Sequence, residues 1–305
     1  MAEAHDEPIV LGFPGQGICI DVLRAALAEY ERDPLVENLA LAHDAANWPK
    51  VRIRERSMLQ PAIFAAGVAR ARRLVRQATL VVGHSLGEIT ALAVAGAVDE
   101  YEGLQLAAAR ERICSTTARQ HPGDMVALLG LSEHSVERIR RQVVATTRDV
   151  LDIAAVNRPE QIVLSGTTRA TSEVVRLAGA DGGYAVRLPI DGPYHSSLMQ
   201  AAVEPLEHVL AEIDIREPAV PWMSTTDGQM HADPAEIRTC ILDALVMPVR
   251  WADALTHIIQ AGYSTMVNIG PGDALVRLHD RPNLRLESLD REPDPSSTGS
   301  IHQDR

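Results

Sequence analysis

Aromatic residues are scarce in this chain, 3% of 305 residues, although its hydrophobic content reaches 46%. The apolar load therefore falls on Ala, Val, Leu and Ile. Lysine is almost missing: Lys50 is the only one, and arginine carries nearly all the positive charge. Long apolar runs are absent, and nothing approaches the roughly 18 residues that cross a membrane. The acidic, polar start of the chain (residues 1–8) is unlike a secretory signal. Cysteine is sparse as well. Cys19, Cys114 and Cys240 are odd in number and lack the spacing of a metal site. They read as reduced, buried thiols of a cytoplasmic protein, and no metal is expected. A net charge of −12 argues against nucleic acid or an anionic membrane as the main partner. The length suits one large α/β domain with room for a smaller inserted one.

What the chain does contain is a sharp serine turn. Val81-Val82-Gly83-His84-Ser85-Leu86-Gly87-Glu88 follows an apolar strand (78–82) and leads into a helical pattern (89–98). A serine on such a Gly-x-Ser-x-Gly turn is pushed out of the backbone and held at a positive helix end. Gly83 and Gly87 leave room for the strand and helix to approach closely. This is the geometry of a nucleophile elbow, although the five-residue pattern alone also occurs as a plain tight turn.

Around it the chain alternates strands and helices. A strand at 8–13 ends in the loop Pro14-Gly15-Gln16-Gly17, and helical patterns follow at 22–31, 60–77 and 102–120. Residues 125–190 then change character, reading strand (125–129), helix (133–144), strand (151–157), strand (161–165), helix (170–178), strand (184–188). That β-α-β-β-α-β order is the split βαβ, ferredoxin-like arrangement. Alternation resumes with helices at 197–213, 234–245 and 251–260 and strands near 220–224 and 265–269. The expected fold is α/β: a large α/β-hydrolase-like subdomain with a parallel sheet (8–124 and 191–291) carrying an inserted ferredoxin-like small subdomain (125–190). The Pro-, Ser- and Asp-rich tail (292–305) is expected to be disordered.

A seryl nucleophile needs a base, an oxyanion hole and a group that selects the acyl chain. Of eleven histidines, His195 stands out. It follows Asp191-Gly192-Pro193-Tyr194 at the edge of the inserted segment, where a seam between domains would fall. On chain features alone a helix-capping or surface role stands beside that of base. His84 should point away from Ser85 and be structural. The Leu86 amide faces the elbow, and the loop holding Gln16 is a source of a second donor; Gly-Gln-Gly serves equally as an ordinary strand-to-helix turn. It lacks the Gly-Lys-Ser/Thr ending of a phosphate loop.

Taken in order, these pieces resemble the malonyl-CoA:acyl-carrier-protein transacylases and the acyltransferase domains of polyketide synthases. The resemblance covers about residues 9–275. It rests on Phe13-Pro14-Gly15-Gln16-Gly17, Gln60-Pro61-Ala62, Gly83-His84-Ser85-Leu86-Gly87-Glu88, and Arg110, 25 residues after Ser85. Further on are Asn157-Arg158-Pro159-Glu160-Gln161-Ile162-Val163-Leu164-Ser165-Gly166, Tyr194-His195-Ser196, Pro248-Val249-Arg250-Trp251 and Gly270-Pro271-Gly272. It implies Ser85 as nucleophile, His195 as base, and the Gln16 and Leu86 amides as oxyanion hole. Arg110 would grip the free carboxylate of a malonyl-type group, an apt use of a bidentate guanidinium. The bland alternative is a surface arginine beside Glu111 and Arg112. Gln60 and Asn157 match positions that line or brace the pocket. Family members often orient the histidine through a backbone carbonyl at the position of Arg250.

The implied reaction is a ping-pong transfer from acyl-CoA through an acyl-serine ester to the phosphopantetheine thiol of an acyl carrier protein, with no bound cofactor. Leu86 and Tyr194 resemble malonyl-selecting members, because a ring at 194 crowds the space an α-methyl group needs. Ile18-Cys19-Ile20 and a compressed segment before Gln60 depart from the pattern. A shuttle of another acyl group between carriers, or a proofreading thioester hydrolase, therefore stands as the alternative. An acidic carrier would need a local basic face, for which Arg138, Arg140, Arg141 and Arg148, or the arginines from Arg70 to Arg76, are candidates.

Overall fold

The structure, a computed structural model, describes residues 8–42 and 58–290. The tail expected to be disordered and most of the segment before Gln60 lie outside the described residues. The first strand, β1 (Ile9–Phe13), is buried along its whole length, as a central parallel strand covered on both faces must be. Helices α1 (Ile20–Glu29), α2 (Pro34–Ala42) and α3 (Leu59–Ala71) follow, then β2 (Ala78–Gly83), α4 (Gly87–Val94) and α5 (Glu100–Gln120). The expected helix at 60–77 stops at Ala71; a turn and a short 3-10 segment (Val75–Gln77) replace its end. α5 starts earlier than its apolar pattern because the Asp99 carboxylate accepts the amides of Tyr101 and Glu102, a side-chain cap.

The next stretch is β3 (Gly123–Leu129), α6 (Glu133–Thr147), β4 (Leu151–Arg158), β5 (Gln161–Thr167), α7 (Thr168–Ala178) and β6 (Tyr184–Arg187). These four strands form a separate antiparallel sheet in the order β4-β5-β3-β6, the split βαβ order expected of a ferredoxin-like unit. The chain continues through a 3-10 turn (Ser197–Ala202), α8 (Val203–Ala211), β7 (Trp222–Met223), β8 (Met230–His231), α9 (Pro234–Asp243), α10 (Trp251–Gln260), β9 (Thr265–Asn268), α11 (Ala274–Arg277) and β10 (Arg285–Ser288). The main sheet runs β10-β9-β1-β2-β7-β8, parallel except for the β7–β8 hairpin.

The two sheets have separate apolar cores. The larger includes Phe13, Phe64, Trp222 and Trp251; the smaller includes Val126, Ile139, Leu164 and Val174. Among the described residues, backbone bonds join the two at Val249. Val249 donates to the Ala154 carbonyl at 2.9 Å and accepts from the Val156 amide at 2.8 Å. Among the described residues no helix is long and apolar enough to cross a membrane.

Two expectations need correction. Cys19 is exposed, because it sits at the N-cap of α1 rather than in a core; Cys114 and Cys240 are buried. Arg70 is not part of a solvated basic face. It is buried, with Nε donating to the Ile269 carbonyl at 2.8 Å and Nη2 paired to Asp290 at 2.6 Å.

Candidate active site

The site begins where β2 ends. Ser85 has φ of 55°, a left-handed conformation that a non-glycine residue adopts at a cost. The turn is tight enough that a Cβ on Gly83 would overlap the Gly87 carbonyl carbon. The 14–17 loop packs on the same turn. His84 donates its amide to the Phe13 carbonyl at 2.9 Å, and a Cβ on Gly15 would come within 2.7 Å of the His84 carbonyl oxygen. Gln16 is therefore held beside the elbow. The Gln16 and Leu86 amides have no backbone acceptor among the described residues. An open N–H at the start of α4, with a second from the facing loop, suits a developing anion.

His195 also has a positive φ, 57°, and its ring is buried. Its Nε2 lies 2.8 Å from Ser85 Oγ and its Nδ1 3.2 Å from the Met247 carbonyl. A carbonyl only accepts, so Nδ1 carries the proton and the Nε2 lone pair faces the serine hydroxyl. Burial pushes His195 down to about 3, helped by the Arg110 guanidinium and by His84. The imidazole is thus neutral at pH 7 and able to take a proton.

The orienting carbonyl belongs to Met247 and not to Arg250. The Arg250 carbonyl is already used by the amides of Asp253 and Ala254 at the start of α10. Its side chain pairs with Asp253 and Glu133, outside the site.

Arg110, on α5, is 3% exposed. Nη1 donates to Gln60 Oε1 at 2.8 Å, and Nη2 makes a long 3.5 Å contact with Ser85 Oγ. Among the described residues no carboxylate forms an ion pair with it. Glu88 and Glu111 feel its charge, but neither closes an ion pair with it, which is unusual for a buried cation. Tyr194 is buried near Arg110 and Cys114, and burial raises its phenol to about 12.

Asn157 does not reach Ser85. Its Oδ1 accepts from His84 Nε2 at 2.9 Å, and the His84 ring lies tilted over Trp251 with centroids 5.6 Å apart. His84 is structural, and Asn157 fixes it.

Two acids escaped the sequence reading. Glu111, noted only as a helix-surface neighbour, is buried and accepts the Leu59 and Gln60 amides at 3.3 and 2.9 Å. It ties the start of α3 to α5 and so sets where Gln60 meets Arg110. Glu88, in the elbow motif, accepts through one oxygen from the Thr225 amide and hydroxyl and the Ser224 hydroxyl, at 2.6, 3.1 and 3.1 Å. Burial raises it to about 7. The sequence signal for Glu111 was its place one residue after Arg110. For Glu88 it was a carboxylate in the first turn of an otherwise apolar helix.

Comparison with known proteins agrees with this geometry. The acyl transferase domain family model matches residues 21–303. A malonyl CoA-acyl carrier protein transacylase of Bacillus subtilis is 30% identical over 234 residues, spanning 75% of this chain and 74% of that protein. The polyketide biosynthesis protein ThaF of Burkholderia thailandensis is 32% identical over 87% of this chain, which spans only 23% of that longer protein. Among solved structures, the transacylase of Coxiella burnetii superposes with a TM-score of 0.80 at 30% identity, covering 89% of this chain and 90% of the other. A type II polyketide synthase acyl-carrier protein in complex with its malonyl-transacylase includes a chain matching with a TM-score of 0.78 at 25% identity, over 92% of this chain and 95% of that one. With its family model running over nearly the whole length and its serine turn, histidine and fold in agreement, the chain belongs to the acyl transferase domain family.

Proposed function

We propose that this protein transfers a malonyl group from coenzyme A, through an ester on Ser85, to the phosphopantetheine thiol of an acyl carrier protein in fatty-acid or polyketide synthesis. The observation that carries the malonyl assignment is Arg110, a buried guanidinium beside Ser85 that closes no ion pair with a carboxylate among the described residues. A malonyl carboxylate completes a bidentate pair there, whereas an acetyl group leaves the cation unpaired. Gln60 holds the guanidinium in place. Tyr194 closes the side where an α-methyl group would sit, favouring malonyl over methylmalonyl.

In the first half-reaction Ser85 Oγ attacks the thioester carbonyl carbon and its proton passes to His195 Nε2. The oxyanion is received by the Gln16 and Leu86 amides, and the departing thiolate takes the proton back from His195. The Met247 carbonyl keeps the imidazole tautomer fixed and stabilises the transient imidazolium. In the second half the carrier thiol enters, His195 removes its proton, and Ser85 leaves as the hydroxyl. These side chains supply every proton the steps need, without a bound cofactor, and the setting we infer is the cytoplasm.

The transacylase names among the relatives and the carrier-protein complex support an acyl carrier as acceptor. The α6 arginines offer it less than their number implies. Arg140 and Arg141 both pair with Glu137, whose carboxyl they hold at about 2.

Intact-mass measurement after incubation with malonyl-CoA, methylmalonyl-CoA or acetyl-CoA tests the proposal. A malonyl adduct is expected, absent in Ser85→Ala and discharged onto a carrier protein faster than to water. Arg110→Ala should lower malonyl loading about 100-fold or more, the scale of stranding one charge of a buried pair, while sparing acetyl loading. Loading only from acyl-carrier donors would indicate the shuttle, and discharge mainly to water a hydrolase. Equal loss of malonyl and acetyl loading would remove the clamp.

A further inference from the structure

Outside the active site, three side chains with metal-ligating atoms converge at the edge of the main sheet. Asp227 lies in the β7–β8 turn, His231 on β8 and Cys240 on α9. Their ligand atoms all lie within 4.8 Å of one another. We propose that Asp227, His231 and Cys240 form a binding site for a divalent ion of the zinc class, which clips the β7–β8 hairpin onto α9.

The chemistry of the set is mixed in the way zinc favours: one thiol, one imidazole and one carboxylate, leaving a fourth position for water. The supporting contacts are those a metal ligand needs. His231 Nε2 is 2.9 Å from Asp227 Oδ2, and Nδ1 is 3.1 Å from Glu236 Oε2. A neutral imidazole has one N–H for these two carboxylates. With Nδ1–H donating to Glu236, the Nε2 lone pair is aimed at another acceptor, an arrangement that a cation between them resolves. A carboxylate behind a ligating histidine is the usual outer support of a zinc site. Asp227 is itself held, since its Oδ1 accepts the Gln229 amide at 2.9 Å. The third group, the buried Cys240 sulfur, lies beside them next to Ser224 and is the soft ligand of the set.

A clip here would serve the fold. β7 and β8 are two residues each, too short to hold the hairpin by pairing alone. The same hairpin carries Ser224 and Thr225, which grip Glu88 behind the elbow.

The test is titration of the full-length protein, freed of metal by chelator dialysis, with Co2+. A near-ultraviolet thiolate-to-cobalt charge-transfer band is expected, bleached by Zn2+, absent in Cys240→Ser and retained in Cys19→Ser. Independently, Zn2+ should raise the melting temperature of the wild type and not of Asp227→Asn. No band at saturating Co2+ would overturn the proposal, leaving an imidazolium ion pair only. So would a band that survives Cys240→Ser, or equal Zn2+ stabilisation of wild type and Asp227→Asn.

Discussion

Ser85 and His195 share a left-handed backbone, at φ of 55° and 57°, and a single 2.8 Å contact. Such strain persists only where the surroundings over-determine it. Here they are the glycine-lined turn on one side and the Met247 carbonyl on the other. Burial first, and then the Arg110 guanidinium against the serine, hold His195 well below an ordinary histidine. The acid limb of the pH profile for acyl loading by the free enzyme should accordingly fall well below 6.5. Arg110→Gln should move that limb upward, measured with acetyl-CoA so that loss of the malonyl contact does not intervene. A limb that stays in place would break the electrostatic link. For stability the sign is set by the lowered value: below pH 6.5 the unfolded chain binds a proton that the native ring resists, so this contribution is lost as pH falls.

At the scale of elements, α4 is anchored twice: by the turn that carries Ser85 and by Glu88, which grips Ser224 and Thr225 after β7. The Glu88 carboxyl lies at about 7 in the fold, against an ordinary value near 4.5. Between those values the native state holds a proton that the unfolded state has released, so wild-type stability falls as pH rises through this window. Glu88→Gln keeps an acceptor oxygen without the charge. Urea denaturation should show this variant gaining stability relative to wild type between pH 5 and pH 8; a pH-independent difference would refute the assignment. Elements with a long periodic pattern were legible in the sequence, α10 at 251–260 among them. It missed α2, a nine-residue helix, and three short pieces, β8, α11 and β10. Two- to four-residue segments carry too little pattern and exist because a neighbour pairs with or covers them.

For the whole molecule, the two sheets meet around His195. Asp152 on β4 accepts the amide and hydroxyl of Ser197, both at 2.8 Å, two residues beyond the histidine. Asn157 on the same strand fixes His84, and Val249 joins the strand by backbone bonds two residues after Met247. The small sheet thus sets the position of the base. Asp152→Ala should slow malonyl loading of Ser85 about three- to tenfold, the cost of lost hydrogen bonds worth roughly 1 kcal/mol. It should leave the donor KM nearly unchanged, because Arg110 and Gln60 are untouched. Stopped-flow loading rates check this; a KM effect without a rate effect would place Asp152 in binding instead.

The sequence by itself determined the elbow, the split βαβ order and the ordered motifs from Gln16 to Gly272. Backbone sterics, apolar periodicity and glycine at close approaches act within a few residues and leave their mark along the chain. Only the tertiary structure decided which carbonyl faces His195, that Glu111 and Glu88 are buried clasps, that Arg70 is interior, and that Asp227, His231 and Cys240 converge. Glu111 lies 51 residues from the amide of Gln60, and Glu88 137 from that of Thr225. Side chains so far apart in the chain meet only when packing brings their elements together. No local rule in the sequence records which of their polar groups will be left to pair.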